Sequence, residues 1–218
     1  LGAKIPALLA HPDWKTPAPA AIWMHGRTVS KEVDPGRYLR WVRAGIAVCA
    51  VDLPGHGERK EVALQSPDRT LEVLAQMVAE IDHVIESLAD PRWQGAFDLN
   101  RLAIGGMSAG GMAALRRLCD PHPFACAAVE ATTGNLSALY YSGTARPRPP
   151  AHPPEHVRPL DAMQHIETWR PIPLLAMHSE ADRMVPFDGQ RTFLEALRTR
   201  YVAAGADTRL IELVTWPE

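Results

Sequence analysis

Residues 101–118, RLAIGGMSAGGMAALRRL, constrain this chain more than any other stretch. A short apolar run, Arg101–Gly105, enters a glycine-rich turn, and an Ala- and Leu-rich helical segment, Ser108 to Leu118, leaves it. Within the turn, Gly106-Met107-Ser108-Ala109-Gly110 has the form G-x-S-x-G. A residue held on so tight a strand-to-helix turn takes strained dihedrals, and side chains two positions away would collide, so glycine is expected there. The turn also sets Ser108 at a helix N-terminus, where the Ala109 N–H can face a developing oxyanion. Two readings stay open on this segment alone: a presented nucleophile, or a purely structural βα turn. The turn has neither the G-x-G-x-x-G of dinucleotide sites nor the Lys-Ser/Thr of a phosphate loop.

The rest of the chain repeats the strand–helix rhythm, which predicts a mostly parallel sheet with crossover helices. Apolar runs at Ala20–Met24, Ile46–Leu53, Ala125–Val129, Pro173–Met177 and Arg209–Val214 join Arg101–Gly105 as strands. Ile5–Ala10 is expected as an antiparallel edge strand. Helical spacing marks Arg37–Ala44, which ends at Gly45, then Thr70–Leu88 and Asp188–Ala204. Such a chain of 218 residues fits one domain.

Composition narrows the function classes. Hydrophobic residues at 46% and charged residues at 22% are ordinary for a globular domain, and a net charge of -2 offers no field for nucleic acid or anionic membrane. No apolar run approaches the ~20 residues of a membrane span. Cys49, Cys119 and Cys126 are an odd set without C-x-x-C spacing, so reduced core cysteines are expected, which favours the cytoplasm. Leu1 is not a methionine, which leaves room for a removed leader.

One segment breaks the rhythm. Residues 143–159 carry Pro147, Pro149, Pro150, Pro153, Pro154 and Pro159 and cannot form a regular helix or central strand. With its flanks, about 134–168, it reads either as a cap-like insertion that shapes a pocket with Tyr140 and Tyr141, or as a disordered surface loop.

Two further motifs follow strands. His25-Gly26-Arg27 succeeds Ala20–Met24, and the Arg27 N–H is the candidate second donor of an oxyanion hole. His25 is expected to brace this loop, with Met107 as another supporting residue. The Arg27 side chain is expected either to meet an anionic substrate group or to lie in solvent. After Pro173–Met177 comes His178-Ser179-Glu180-Ala181-Asp182-Arg183-Met184-Val185-Pro186. A base imidazole needs an orienting carboxylate, and Asp182 and Glu180 both have the chemistry. A metal site from His178 and Asp182 is a poor reading, because no third ligand is near in sequence.

Taken in order, His25-Gly26-Arg27, Asp52-Leu53-Pro54-Gly55-His56-Gly57, Gly106 to Gly110, and Asp182 with Val185-Pro186 resemble the α/β-hydrolase superfamily. The likeness is to its esterase and dienelactone-hydrolase-like members and spans residues about 20 to 187. It implies an α/β-hydrolase fold in which Ser108 is the nucleophile, Asp182 the triad acid, and Arg27 and Ala109 the oxyanion-hole residues. His56 would then have a structural role. Dienelactone hydrolases proper use cysteine, so that activity is not implied. The implied chemistry is hydrolysis of a small-molecule carboxylic ester with no metal or organic cofactor. A serine peptidase or thioesterase uses the same constellation, although nothing upstream of Ile5 suggests a propeller domain. A non-catalytic binding domain is the reading from another class.

The resemblance also implies the order Ser, Asp, His. Of the nine histidines the last is His178, and none follows Asp182. Three readings stand. The protein continues beyond these residues, with a histidine loop and closing helix to come and too little before Ile5 for a first strand. Alternatively, His152, His156 or His165 from the proline-rich segment serves as base, or the domain is catalytically dead. The first leads, because an apolar last strand without a covering helix leaves one side of the sheet unprotected.

Overall fold

The computed structural model describes residues 4–218, and Leu1 lies outside the described residues. In chain order the elements are β1 (Ala7–Ala10), β2 (Ala18–Met24), α1 (Pro35–Arg43), β3 (Ala47–Val51), α2 (Thr70–Leu88), β4 (Phe97–Met107) and α3 (Ala109–Arg117). They continue as β5 (Cys126–Glu130), α4 (Leu136–Tyr141), α5 (Pro154–Val157), β6 (Leu174–Ser179), α6 (Phe187–Ala203) and β7 (Ile211–Trp216). The seven strands form one sheet in the order β1-β3-β2-β4-β5-β6-β7. β1 pairs antiparallel with β3 at the edge, and every other pairing is parallel.

Central strands read as continuous apolar runs because both their faces are covered. β3 is buried at every residue. On one face Ile22, Met24, Cys49, Val51, Leu102, Ile104, Val129 and Ala176 form a core with α2, α3 and α6. α2 supplies Leu71, Leu74, Met77, Ile81, Val84 and Leu88 at three- and four-residue spacing. On the other face α1 covers Trp23, Val48 and Ala50 with Tyr38. Asp34 caps α1 by accepting the Arg37 N–H at 3.0 Å, and Pro35 occupies its first turn.

That second face is only half covered. Met107 and Ala128 pack against the edge of this cluster, and toward β7 the face presents half-buried Leu175 and Met177 and exposed Val214 and Trp216. Cys126 belongs to this face and is half-buried, whereas Cys49 and Cys119 are buried. All three are free thiols.

The proline-rich segment is folded. Ala145, Val157 and Ala162 are buried. α5 and the tight helical turns at Arg158–Leu160 and Ala162–Thr168 carry the chain back to β6. The fully buried Asp161 carboxylate accepts the N–H groups of Leu136 at 2.9 Å and Ser137 at 3.0 Å and the Ser137 hydroxyl at 2.6 Å. One carboxylate thereby ties the segment to the start of α4.

Candidate active site

Ser108 sits between β4 and α3 at φ 52° and ψ −119°. This is left-handed space that a non-glycine residue occupies only when its surroundings enforce it. The enforcement is visible. Ser108 donates its N–H to Glu130 O at 2.9 Å, and its carbonyl accepts Thr132 Oγ1 at 2.7 Å and the Met112 N–H at 2.9 Å. The flanking glycines permit close backbone approach. A Cβ on Gly110 would lie 2.2 Å from Met24 O, and one on Gly106 would lie 2.5 Å from the Gly110 carbonyl carbon. The elbow is thus pressed onto the end of β2. Among the described residues Ser108 Oγ makes no hydrogen bond.

The β2 exit loop runs beside the serine. A Cβ built on Gly26 would be 3.4 Å from Ser108 Cβ and 3.2 Å from Met107 Cε. His25, buried, accepts the Leu53 N–H on Nε2 at 3.0 Å, which fixes its tautomer with the proton on Nδ1. That Nδ1–H donates to Gly26 O at 2.5 Å. The Gly26 carbonyl and the Arg27 N–H share one peptide unit, which is trans, so they point in opposite directions. By holding the carbonyl, His25 orients the Arg27 N–H. Neither that N–H nor the Ala109 N–H has a hydrogen-bond partner among the described residues. Burial holds the His25 imidazole below its ordinary value of 6.5, so the ring stays neutral.

The Arg27 side chain corrects the sequence expectation. It neither extends into solvent nor stands free for a substrate anion. The half-buried guanidinium turns back to the chain before α2, donating to Gln65 O, to Ser66 O at 2.9 Å and to Thr70 Oγ1. These partners lie about forty residues away, and two of them are backbone carbonyls. Nothing in the local sequence around Arg27 announces them.

Asp182 lies in the loop between β6 and α6. Its Oδ1 accepts the N–H groups of Met184 at 2.8 Å and Val185 at 3.0 Å, an arrangement that fixes the carboxylate from below. Oδ2 is 3.6 Å from His178 Nε2. That nitrogen donates instead to Val185 O at 2.8 Å, which leaves Oδ2 as an acceptor. Glu180 is exposed and bound to Thr215 Oγ1 at 2.8 Å, on the β7 side.

Among the described residues no histidine is hydrogen-bonded to Ser108. His56 is buried within its loop, with Nδ1 donating to Pro54 O at 2.8 Å, its ring 5.7 Å from that of His25. His152 stacks edge-on to Tyr140 at 5.1 Å, and His165 bonds to Arg158 O at 3.1 Å. His156 is exposed on α5. No group of three or more metal-ligating side chains occurs among the described residues, and no helix there is long and apolar enough to cross a membrane.

Glu130 and Thr132 carry no motif in this arrangement, and Leu53 holds only the variable position of one. Leu53 and Glu130 act through backbone groups, which any side chain supplies. Thr132 follows β5 in the run Ala131-Thr132-Thr133-Gly134, which signals a loop and nothing more.

A sequence model of the prolyl oligopeptidase family matches residues 37–213, a stretch that includes the elbow and the Asp182 loop. The chain belongs to the prolyl oligopeptidase family. Esterase YjfP of Escherichia coli (strain K12) is 31% identical over 211 residues, covering 89% of this chain and 82% of that protein. Among solved structures, an acylaminoacyl peptidase of Pyrococcus horikoshii superposes over 100% of the chain with a TM-score of 0.74 at 17% identity. The chain spans only 35% of that protein's length. Esterase 2 of Thermogutta terrifontis, phosphoramylated by tabun, matches with a TM-score of 0.69 and 20% identity, over 99% of this chain and 78% of that one. The fold is that of the α/β-hydrolases, as the motif order implied. Within this family of esterases and peptidases the chain is of serine-hydrolase type.

Proposed function

We propose that this domain hydrolyses small carboxylic esters through an acyl-enzyme on Ser108. Ser108 Oγ attacks the ester carbonyl, and a histidine from outside residues 1–218 takes its proton. Asp182 Oδ2, left as an acceptor, receives the other ring N–H of that histidine and stabilises its charged form. The tetrahedral oxyanion accepts the N–H groups of Arg27 and Ala109. The histidine then protonates the leaving alcohol, water attacks the acyl-serine, and Ser108 is regenerated. The observation that carries this reading is the strained Ser108 backbone, set beside two unengaged N–H groups.

The relation to Esterase YjfP supports esters as the substrate. The acylaminoacyl peptidase superposition favours a second reading, cleavage of an amide with the same residues. Tyr140 and His152, whose rings pack edge-on at 5.1 Å, would in this reading shape the acyl or leaving-group pocket. A fluorophosphonate probe on the full-length protein tests the nucleophile: labelling is expected, and its loss in Ser108→Ala. Persistent labelling of Ser108→Ala rejects the assignment. Turnover of p-nitrophenyl acetate against an acyl-amino-acid anilide separates ester from amide specificity. Residues 1–218 alone should retain only the ~10³–10⁴-fold acceleration left when a triad member is missing. Full-rate turnover by residues 1–218 would show that the base is already among them.

A further inference from the structure

We infer that the guanidinium of Arg27 is a positioning group, which locks the oxyanion-hole peptide by clamping it to the segment ahead of α2. This inference rests on the reading of the Arg27 N–H as an oxyanion donor.

The two candidate donors are supported differently. The Ala109 N–H belongs to the first turn of α3 and inherits the rigidity of a helix. The Arg27 N–H lies in a turn beyond the end of β2, outside the sheet ladder. His25 fixes that peptide from the Gly26 side. On the other side Thr28 has φ 65°, a left-handed conformation that a β-branched residue adopts only under constraint. Between these two sits the Arg27 side chain, half-buried, with one terminal nitrogen on Thr70 Oγ1 and the other on the carbonyls of Gln65 and Ser66. Its fork spans a backbone turn and a helix start, a geometry that one lysine ammonium cannot reproduce. Burial lowers the guanidinium pKa, while the neighbouring Tyr140 and Asp68 raise it. A donor that must sit within a few tenths of an ångström of a developing oxyanion gains catalytic effect from such rigidity, because it acts in the transition state and not on bound ester.

Three variants of the full-length protein test the inference: Arg27→Met, Arg27→Lys and Thr70→Val. Each is assayed for kcat and KM on p-nitrophenyl acetate and for inhibition by a trifluoromethyl ketone, whose adduct places an oxyanion in the hole. Arg27→Met is expected to lower kcat by roughly 10–100-fold, less than outright loss of a donor, with KM within about twofold. Its inhibition constant should rise by the same factor as kcat falls. Arg27→Lys should recover little, and Thr70→Val, which removes one clamp contact away from the serine, should show a smaller change of the same kind. Unchanged kcat and inhibitor affinity in Arg27→Met overturn the inference, as does a rise in KM alone. If Arg27→Met does not fold, Thr70→Val carries the test, and unchanged kcat and inhibitor affinity there overturn it. If Ser108→Ala retained activity, the parent reading would fail instead, a result distinct from all of these.

Discussion

Leu53 donates its backbone N–H to Nε2 of His25 at 3.0 Å, so this imidazole must remain an acceptor at that nitrogen. A second proton on the ring would face an N–H already aimed at it.

Stability should therefore depend on pH. His25 and His56 are both held below the ordinary 6.5 by burial, and His122 is lowered to about 4, again chiefly by burial. As pH falls below 6.5 the unfolded chain takes up these protons first. The stability due to the neutral rings is complete above 6.5 and drains away toward the folded values. Asp13 and Glu32, held at about 2 by hydrogen bonds, act with the same sign in a lower window, below about 4. The urea midpoint is expected to drop between pH 7.5 and 5, and the drop should be shallower in His25→Asn. An equal slope in that variant would remove His25 from the account.

Close packing at the elbow gives a steric prediction. The Cβ of Gly110→Ala would meet Met24 O at 2.2 Å and His25 O at 2.6 Å, both backbone atoms with no flexible end to yield. The substitution should cost about 1–3 kcal/mol, in the range of overpacked cores, or more if β2 must shift. Urea denaturation reads this directly. Gly45→Ala serves as the comparison, since a Cβ there meets nothing within 4 Å and only its φ of +83° is strained.

Ser108 stores backbone strain, which glycine can release. Ser108→Gly should be about 1–2 kcal/mol more stable than Ser108→Ala, because alanine keeps the Cβ at φ 52° while glycine does not. Thermal melts of the two inactive variants make the comparison. Equal melting temperatures would mean that the surrounding bonds have absorbed the strain.

An ion pair beneath the elbow gives a fourth prediction. Arg37 lies 4.3 Å over the Trp23 ring, bonds Asp34 Oδ2 through Nε at 2.6 Å, and pairs through its other arm with Glu130 Oε2. The Glu130 carbonyl is the acceptor for the Ser108 N–H. Both side chains are partly exposed, so solvent screens the pair. A double-mutant cycle of Arg37→Met and Glu130→Gln should return a coupling of about 1 kcal/mol. A value near zero would make the pair a surface ornament.

Local pattern made much of this molecule legible. The periodicity of Thr70–Leu88 marks α2 to the residue, because its apolar stripe faces one core. The alternation of runs gives the parallel sheet and the antiparallel edge of β1. β4 is longer than its apolar run suggests, since its polar start at Asp98 and Asn100 precedes the irregularity where β2 shifts register. The site is legible where a motif is a run of neighbours, as at Gly106–Gly110, and illegible where it depends on distant partners. Arg27 is the case in point: the local sequence offers it a substrate anion or solvent, and it finds its fixed place through groups about forty residues away. The proline-rich segment leaves two readings open for another reason. Proline forbids regular structure, yet Asp161 and buried Ala145 and Val157 pin it to the body.

Asp161 also sets how this region is held together. Its carboxylate holds the first two N–H groups of α4, and Met163 donates to Gly134 O at 2.8 Å just ahead of that helix. Residues 161–163 and the start of α4 are therefore fastened to each other as one unit. A cut among the exposed prolines would leave this fastening in place, whereas Asp161→Asn would weaken it by removing the charge that two backbone N–H groups and a hydroxyl share.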